Sequence, residues 1–177
     1  MSFVPFGGPE LREVLVPPRP NFRGISGRIR DTSFNTCAFY EEETRGNTAA
    51  RELGLRFERK VLDEIGADFP IFWRQPKVRF FDDSGMRLCI PDAVAREGDD
   101  IIVIEVKIQH MPEAWWQLER LYRPVLETHF KPRRLRALEI VQSFDPAMPF
   151  PISVEVFETI ASFKDSDVPF GVVVWKK

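Results

Sequence analysis

Two runs rich in β-branched residues, 90–94 and 101–108, are separated by the polar stretch Arg96-Glu97-Gly98-Asp99-Asp100. That pattern predicts two strands joined by a hairpin. Residues 101–104 are continuously apolar, as in a strand covered on both faces. An acid and a lysine follow at Glu105 and Lys107. Two residues apart on a strand, they point to one face, with Ile104 and Val106 on the other. Upstream, Ala50, Leu53, Phe57, Val61 and Ile65 recur at helical spacing and predict a core-facing stripe. Asn47 or Thr48 is placed to cap that helix and Gly66 to end it.

The remaining segments complete an α/β pattern. Residues 69–73 read as a short strand or an entry loop, 77–81 as a strand, 82–85 as its turn, and 86–95 as the strand that carries Asp92. Pro112 is placed to open a second helix, because a first-turn proline forfeits no helical hydrogen bond. Trp115, Leu118, Tyr122, Val125 and His129 form its core stripe, and Pro124 is expected to kink or end it early. Trp115 and Trp116 are adjacent, so both are not expected to face the core. Residues 135–144 read as a strand, 145–151 as a loop, 154–163 as either strand or helix, and 170–175 as a final strand.

The chemistry collects on the first hairpin. Asp92 precedes the turn and a tight hairpin brings it beside Glu105. Two carboxylates so placed repel unless a cation lies between them. Magnesium commonly takes one or two carboxylates, with water and phosphate oxygens completing its shell. Lys107 beside such an ion would orient water or offset charge on a phosphate.

Pro91-Asp92, twelve residues, then Glu105-Val106-Lys107 resembles the signature of the PD-(D/E)XK nuclease superfamily, nearest its RecB-like and lambda-exonuclease-like branch. The resemblance implies a restriction-endonuclease-like core, αβββαβ, with a central mixed sheet flanked by helices. It implies Mg²⁺ or Mn²⁺ held by Asp92 and Glu105, with the Val106 carbonyl as a third ligand, and no iron–sulfur cluster. Gly54 and Leu55-Arg56-Phe57-Glu58 resemble the first core helix of that branch, in which a Glu helps hold metal or its water. Glu58 either takes that role or pairs on the surface with Arg51 or Lys60. Gln117 is a candidate to hold a DNA phosphate or the lysine. In the RecB-like pattern a Tyr follows such a Gln by four residues. Here it follows by five, at Tyr122, which turns it off the Gln face and assigns it to the core. Gln109 continues the Glu105 and Lys107 face, toward either the phosphate or the next loop. Arg133 and Arg134, in a basic cluster with Lys131 and Arg136, either contact the DNA backbone or oppose the helix dipole. His110 and His129 have no partner pattern of a general base.

At 177 residues, 44% of them apolar, the chain is expected to hold one domain with a full core. Residues 1–43 are a Pro- and Arg-rich arm bearing Arg12, Arg19, Arg23, Arg28 and Arg30, and 44–177 are the nuclease-like domain. The arm is either a solvated wrap over the domain or a contact for phosphate or a protein partner. A net charge of −2 argues against a protein that coats nucleic acid, not against an enzyme with a local basic surface. No apolar run reaches the ~20 residues of a membrane span. The N-terminus lacks the pattern of a secretion signal. Cys37 and Cys89 give neither a zinc pattern nor a disulfide framework. A cytoplasmic protein is expected, or a virion-associated one if of phage origin.

The expected function is a Mg²⁺-dependent deoxyribonuclease, exo- or endonuclease, hydrolysing phosphodiester bonds with water activated beside the metal. The alternative is a nuclease-fold DNA-binding or assembly module, as in a phage particle or repair complex, with little catalysis. A third reading is an enzyme acting on RNA or another phosphate ester.

Overall fold

The computed structural model describes residues 22–36, 49–145 and 154–176. The elements run β1 (Asp31–Asn35), α1 (Ala49–Ile65), β2 (Ile71–Arg74), β3 (Lys77–Asp82), β4 (Gly85–Cys89), β5 (Ala93–Glu97), β6 (Asp100–Gln109), α2 (Pro112–Gln117), a π-helical turn (Leu118–Tyr122), α3 (Arg123–Phe130), β7 (Arg134–Ser143), β8 (Glu155–Phe157), α4 (Ile160–Lys164) and β9 (Phe170–Val174). A central six-stranded sheet has the order β2-β5-β6-β7-β9-β8. It is mixed: β2, β5 and β6 pair antiparallel, whereas β6, β7, β9 and β8 pair parallel. A smaller sheet has the order β1-β3-β4. Among the described residues no helix is long and apolar enough to cross a membrane.

Alternation along the strands divides the core into two layers. On one face of the sheet, Ile102, Ile104, Val106, Leu138 and Ile140 meet Val61, Leu62 and Ile65 of α1. On the other, Val94, Ile101, Val103, Leu135 and Ala137 meet Trp115, Leu118, Tyr122, Val125 and Leu126, together with Val78 and Phe80 of the small sheet. Burying each such aliphatic side chain contributes roughly 1.5–3 kcal/mol. The predicted β5–β6 hairpin is present: Glu97 pairs with Asp100 across Gly98 and Asp99, and Gly98 takes the left-handed φ of 62° that the turn demands.

Several expectations are corrected. The strand expected over 86–95 is two strands in different sheets, broken at Pro91, whose missing N–H suits a crossover better than a ladder. The three consecutive antiparallel strands expected after the first helix do not share one sheet: β3 and β4 belong to the small sheet, and the antiparallel part of the central sheet is β2, β5 and β6. Only the C-terminal half of α1 lies on the sheet, so Ala50 is exposed and Leu53 is 58% exposed rather than core. Residues 22–36, assigned to an arm, belong to the folded unit. β1 pairs with β3, and Phe22, Ile25, Ile29 and Phe34 pack on the core. This cover buries both tryptophans: the Phe22 ring lies 6.1 Å from that of Trp116. Residues 154–163 are β8 followed by α4, so both readings of that stretch apply in part. The Asn47 or Thr48 cap, Arg12, Arg19 and Cys37 lie outside the described residues.

The second helix does not end at Pro124. It widens into the π-helical turn just before it and runs on to Phe130. The Arg120 carbonyl, which an α-helix would offer to residue 124, accepts from the Ile25 N–H at 3.3 Å instead. Proline therefore leaves no orphaned acceptor here.

Candidate active site

Glu105 and Lys107 leave β6 on the face that meets α2 and α3. Lys107 Nζ donates to Glu105 Oε1 at 2.5 Å. Glu105 is only 2% exposed, and its Oε2 is buried without a hydrogen-bond partner. Asp92 sits in the crossover immediately before β5, where Ala93 pairs with Ile104. From there its Oδ2 accepts the Val106 N–H at 2.7 Å. The hairpin thus sets Asp92 beside the Glu105–Lys107 segment, as the sequence predicts, through the amide of Val106.

Glu58 reaches this end of the sheet from α1, whose buried residues pack on the opposite face. Its Oε1 accepts from Gln75 Nε2 at 2.8 Å, and the Gln75 N–H donates to the Asp92 carbonyl at 2.9 Å. Gly54 is not needed for that approach, since a Cβ there would meet Ile108 only at an ordinary 4.0 Å.

The charges oppose one another. Burial, then Glu105 and Glu58, push the Asp92 carboxyl well above its usual range, against Lys107 and the Val106 N–H. Burial also raises Glu105, and Glu58 and Glu139 add to it against the pull of Lys107. Burial lowers the Lys107 amine, but the Glu105 and Asp92 carboxylates outweigh it and hold the amine above its usual value. Lys107 is therefore an ammonium at neutral pH. One element missing from the sequence reading is Glu139 on β7, in register with Glu105 and fully buried. It accepts from His110 Nδ1 at 2.7 Å and the Met111 N–H at 3.3 Å. His110 is thus a buried structural partner. His129 likewise meets Thr32 Oγ1 at 3.1 Å, away from the acids.

Tyr122 is buried in the core, as expected, and its hydroxyl makes a further contact. Within the π-helical turn the Arg123 N–H reaches the Leu118 carbonyl, five residues back. The helix is wider there, so a residue at i+5 lies closer to the line of residue i than it would on an α-helix. The Tyr122 hydroxyl donates to the Ile90 carbonyl at 3.3 Å, in the crossover that carries Asp92. Burial, then Glu105 and Asp92, hold the phenol well above its usual value. The residue is core by burial and also faces the acids. Five-residue spacing before a proline is the signal that 3.6-residue periodicity conceals.

Gln117 is half-buried and Gln109 is exposed at the end of β6. Arg133 and Arg134 are not brought to the acids. Arg134 is in register with Asp100, seven residues before Lys107. That spacing is about 23 Å along a strand. Arg134 is engaged there by Asp100 and Asp167, and Arg133 borders a separate cleft of about 410 Å³ with Arg96, Lys131 and Phe130.

Among the described residues no three His, Cys, Asp or Glu side chains form a ready metal cage. The donor set is instead two carboxylates, with a third from α1 in electrostatic reach. That is the oxygen-only, water-completed set that Mg²⁺ and Mn²⁺ accept. The unpartnered Glu105 Oε2 fits such an ion, since a buried carboxylate oxygen without a donor is costly. No family model matches the chain, and no curated protein or solved structure matches it.

Proposed function

We propose that this chain is a divalent-metal-dependent DNA nuclease of the PD-(D/E)XK type, built on a restriction-endonuclease-like core. The observation that carries the reading is the Glu105 carboxylate, buried and half-satisfied beside Lys107 and Asp92 on adjoining segments. The order α1, β2, β5, β6, α2–α3, β7 in and around the central sheet supports it as an αβββαβ sequence.

Asp92 and Glu105 hold Mg²⁺ or Mn²⁺, with the Val106 carbonyl as a further ligand and Glu58 adding charge from α1. When bound there, such an ion would neutralise the carboxylates and would supply Lewis acidity for phosphoryl chemistry. Lys107 positions or activates the attacking water and offsets charge growing on the phosphate. Gln109, exposed at the end of β6, and Gln117, half-buried at the end of α2, hold the DNA strand. Attack by the water oxygen forms one phosphorus–oxygen bond while the bond to the leaving oxygen breaks; that oxygen departs with the electron pair and takes a proton from solvent, to which the attacking water gives up its own.

Digestion of linear, circular and branched DNA tests the reading. Cleavage is expected with Mg²⁺ or Mn²⁺ and lost on chelation. Lys107→Ala is expected to cut roughly 10²–10³-fold more slowly, with the circular dichroism spectrum retained. Cleavage by that variant at the parent rate overturns the mechanism.

A further inference from the structure

Gln75 lies in the link Gln75-Pro76 between β2 and β3 with a backbone φ of 44°. That left-handed region costs a residue with a Cβ roughly 1–2 kcal/mol. The proline that follows adds to the strain, because it pushes its predecessor toward extended backbone. Glycine would hold this turn without strain, so the side chain at this position needs a reason.

Its contacts supply one. The Gln75 N–H donates to the Asp92 carbonyl at 2.9 Å, and its side-chain Nε2 donates to Glu58 Oε1 at 2.8 Å. One residue therefore ties α1 to the crossover that presents Asp92, although α1 packs on the other face of the sheet from Glu105. Without that tie, Glu58 is a half-buried carboxylate facing two others, and repulsion favours its turning to solvent.

We propose that Gln75 is a positioning residue that holds Glu58 against the Asp92–Glu105 pair and so raises the affinity of this end of the sheet for a divalent cation. The inference rests on reading these acids as a cation site. The amide adds no charge. It fixes one carboxylate rotamer in advance, and binding is then spared the cost of ordering it.

Calorimetric titration of the full chain with Mn²⁺, without DNA, tests this. Gln75→Asn tolerates the left-handed backbone and keeps the N–H to Asp92, but is one methylene too short to reach Glu58. It is expected to weaken Mn²⁺ binding roughly tenfold, as the loss of an outer support of a metal ligand does. In a Glu58→Gln background the same change is expected to add nothing further. Gln75→Gly is expected to lose the same affinity while melting no lower than the parent, since the strain is released with the contact. Parental Mn²⁺ affinity in Gln75→Asn, or an equal loss with and without Glu58, overturns the positioning role. If Asp92→Ala still abolishes binding, the cation site on which the nuclease reading rests stands without Gln75. A parent chain that binds no Mn²⁺ overturns that reading and this inference with it.

Discussion

At the start of β6 and β7, Arg134 holds Asp100 at 2.8 Å and Asp167 at 2.8 Å, and Lys164 meets Glu97 at 2.9 Å. Arg136, fully buried on the same strand, gives its Nη1 to the carbonyls of Phe163, Lys164 and Ser166. At the far end of those strands, Glu105, Asp92 and Glu139 act on Lys107, Glu58 adds to the repulsion on Asp92 and Glu105, and His110 is engaged by Glu139. The first end pairs its exposed and half-buried charges, and the hydrogen bond that Arg134 donates to Asp100 raises its guanidinium, whereas the buried Arg136 is met by carbonyls and is lowered by burial and by Arg134. The second end raises its buried acids, so the fold opposes the very charges it gathers there. Charge balanced by the chain itself is structural. The unbalanced buried acids are the feature on which the proposed cation site rests.

The contrast predicts opposite results from neutralising each end. Asp92→Asn keeps an oxygen for the Val106 N–H and removes a carboxylate that Glu105 and Glu58 repel. Cleavage and Mn²⁺ binding are expected to vanish, while the metal-free melting temperature rises by several degrees, on the order of 1 kcal/mol. Arg136→Ala leaves three carbonyls without their donor and empties the space over the Phe163 ring, 4.6 Å from the guanidinium. It is expected to cost about 3 kcal/mol of stability, with the specific activity of the folded fraction unchanged. Thermal melts and cleavage rates on the two purified variants check both halves. Destabilisation by Asp92→Asn would remove the basis for calling its end of the sheet strained.

The same opposition sets a pH dependence. Asp92 and Glu105 bind protons more tightly folded than unfolded. Above the ordinary carboxylate range of about 4 the folded state therefore holds more protons, and stability falls as pH rises toward the raised values. The metal-free chain is expected to melt higher near pH 5 than near pH 8, roughly a few degrees apart. Saturating Mn²⁺ is expected to flatten or reverse the slope, since the ion binds the ionised acids. Asp82 runs the other way. Burial raises it, but the Ser26 and Ser84 amides and Arg87 overcome burial and hold it low. Its contribution is lost only below the ordinary carboxylate range and so does not mask the effect. Melting curves across pH, with and without Mn²⁺, are the measurement. A metal-free melting point that climbs from pH 5 to 8 would contradict the raised acids.

What the sequence disclosed follows from where its signals are local. Acid and lysine at the end of an apolar β-branched run cannot be read as an ordinary strand, so Glu105 and Lys107 were visible without coordinates. Gly98 between polar neighbours fixed the hairpin in the same way. Pro91 was equally visible as a ladder breaker, yet the run of residues 86–95 hides that one strand changes sheet there. Leu53 misled because helical periodicity tells which side of a helix is apolar and not how far the sheet beneath it extends. Gln75 carried no signal, because its role depends on a backbone turn and on two acids, Glu58 and Asp92, that lie on either side of it in the sequence, each far outside any local pattern. Arg133 and Arg134 read as a phosphate-binding cluster because sequence cannot say at which end of a strand its neighbours collect.

Tyr122 tests the comparison most finely, because burial assigns it to the core and its hydroxyl to the acidic end. The phenol stays protonated at any working pH, so it acts only as a neutral donor. Its acceptor, the Ile90 carbonyl, precedes Pro91 and Asp92, and the hydrogen bond braces the crossover that aims Asp92. At 3.3 Å the bond is long, and Tyr122→Phe is expected to cost less than about 1 kcal/mol of stability. Mn²⁺ affinity is expected to hold, because the phenol is not a ligand. Cleavage is expected to fall severalfold, because a looser Asp92 crossover misplaces the ion relative to Lys107 even where the ion still binds. Melting, titration and rate measurements on one variant separate the two roles. An unchanged rate with lowered stability would return Tyr122 to the core alone and leave the π-helical turn as an accommodation of Pro124.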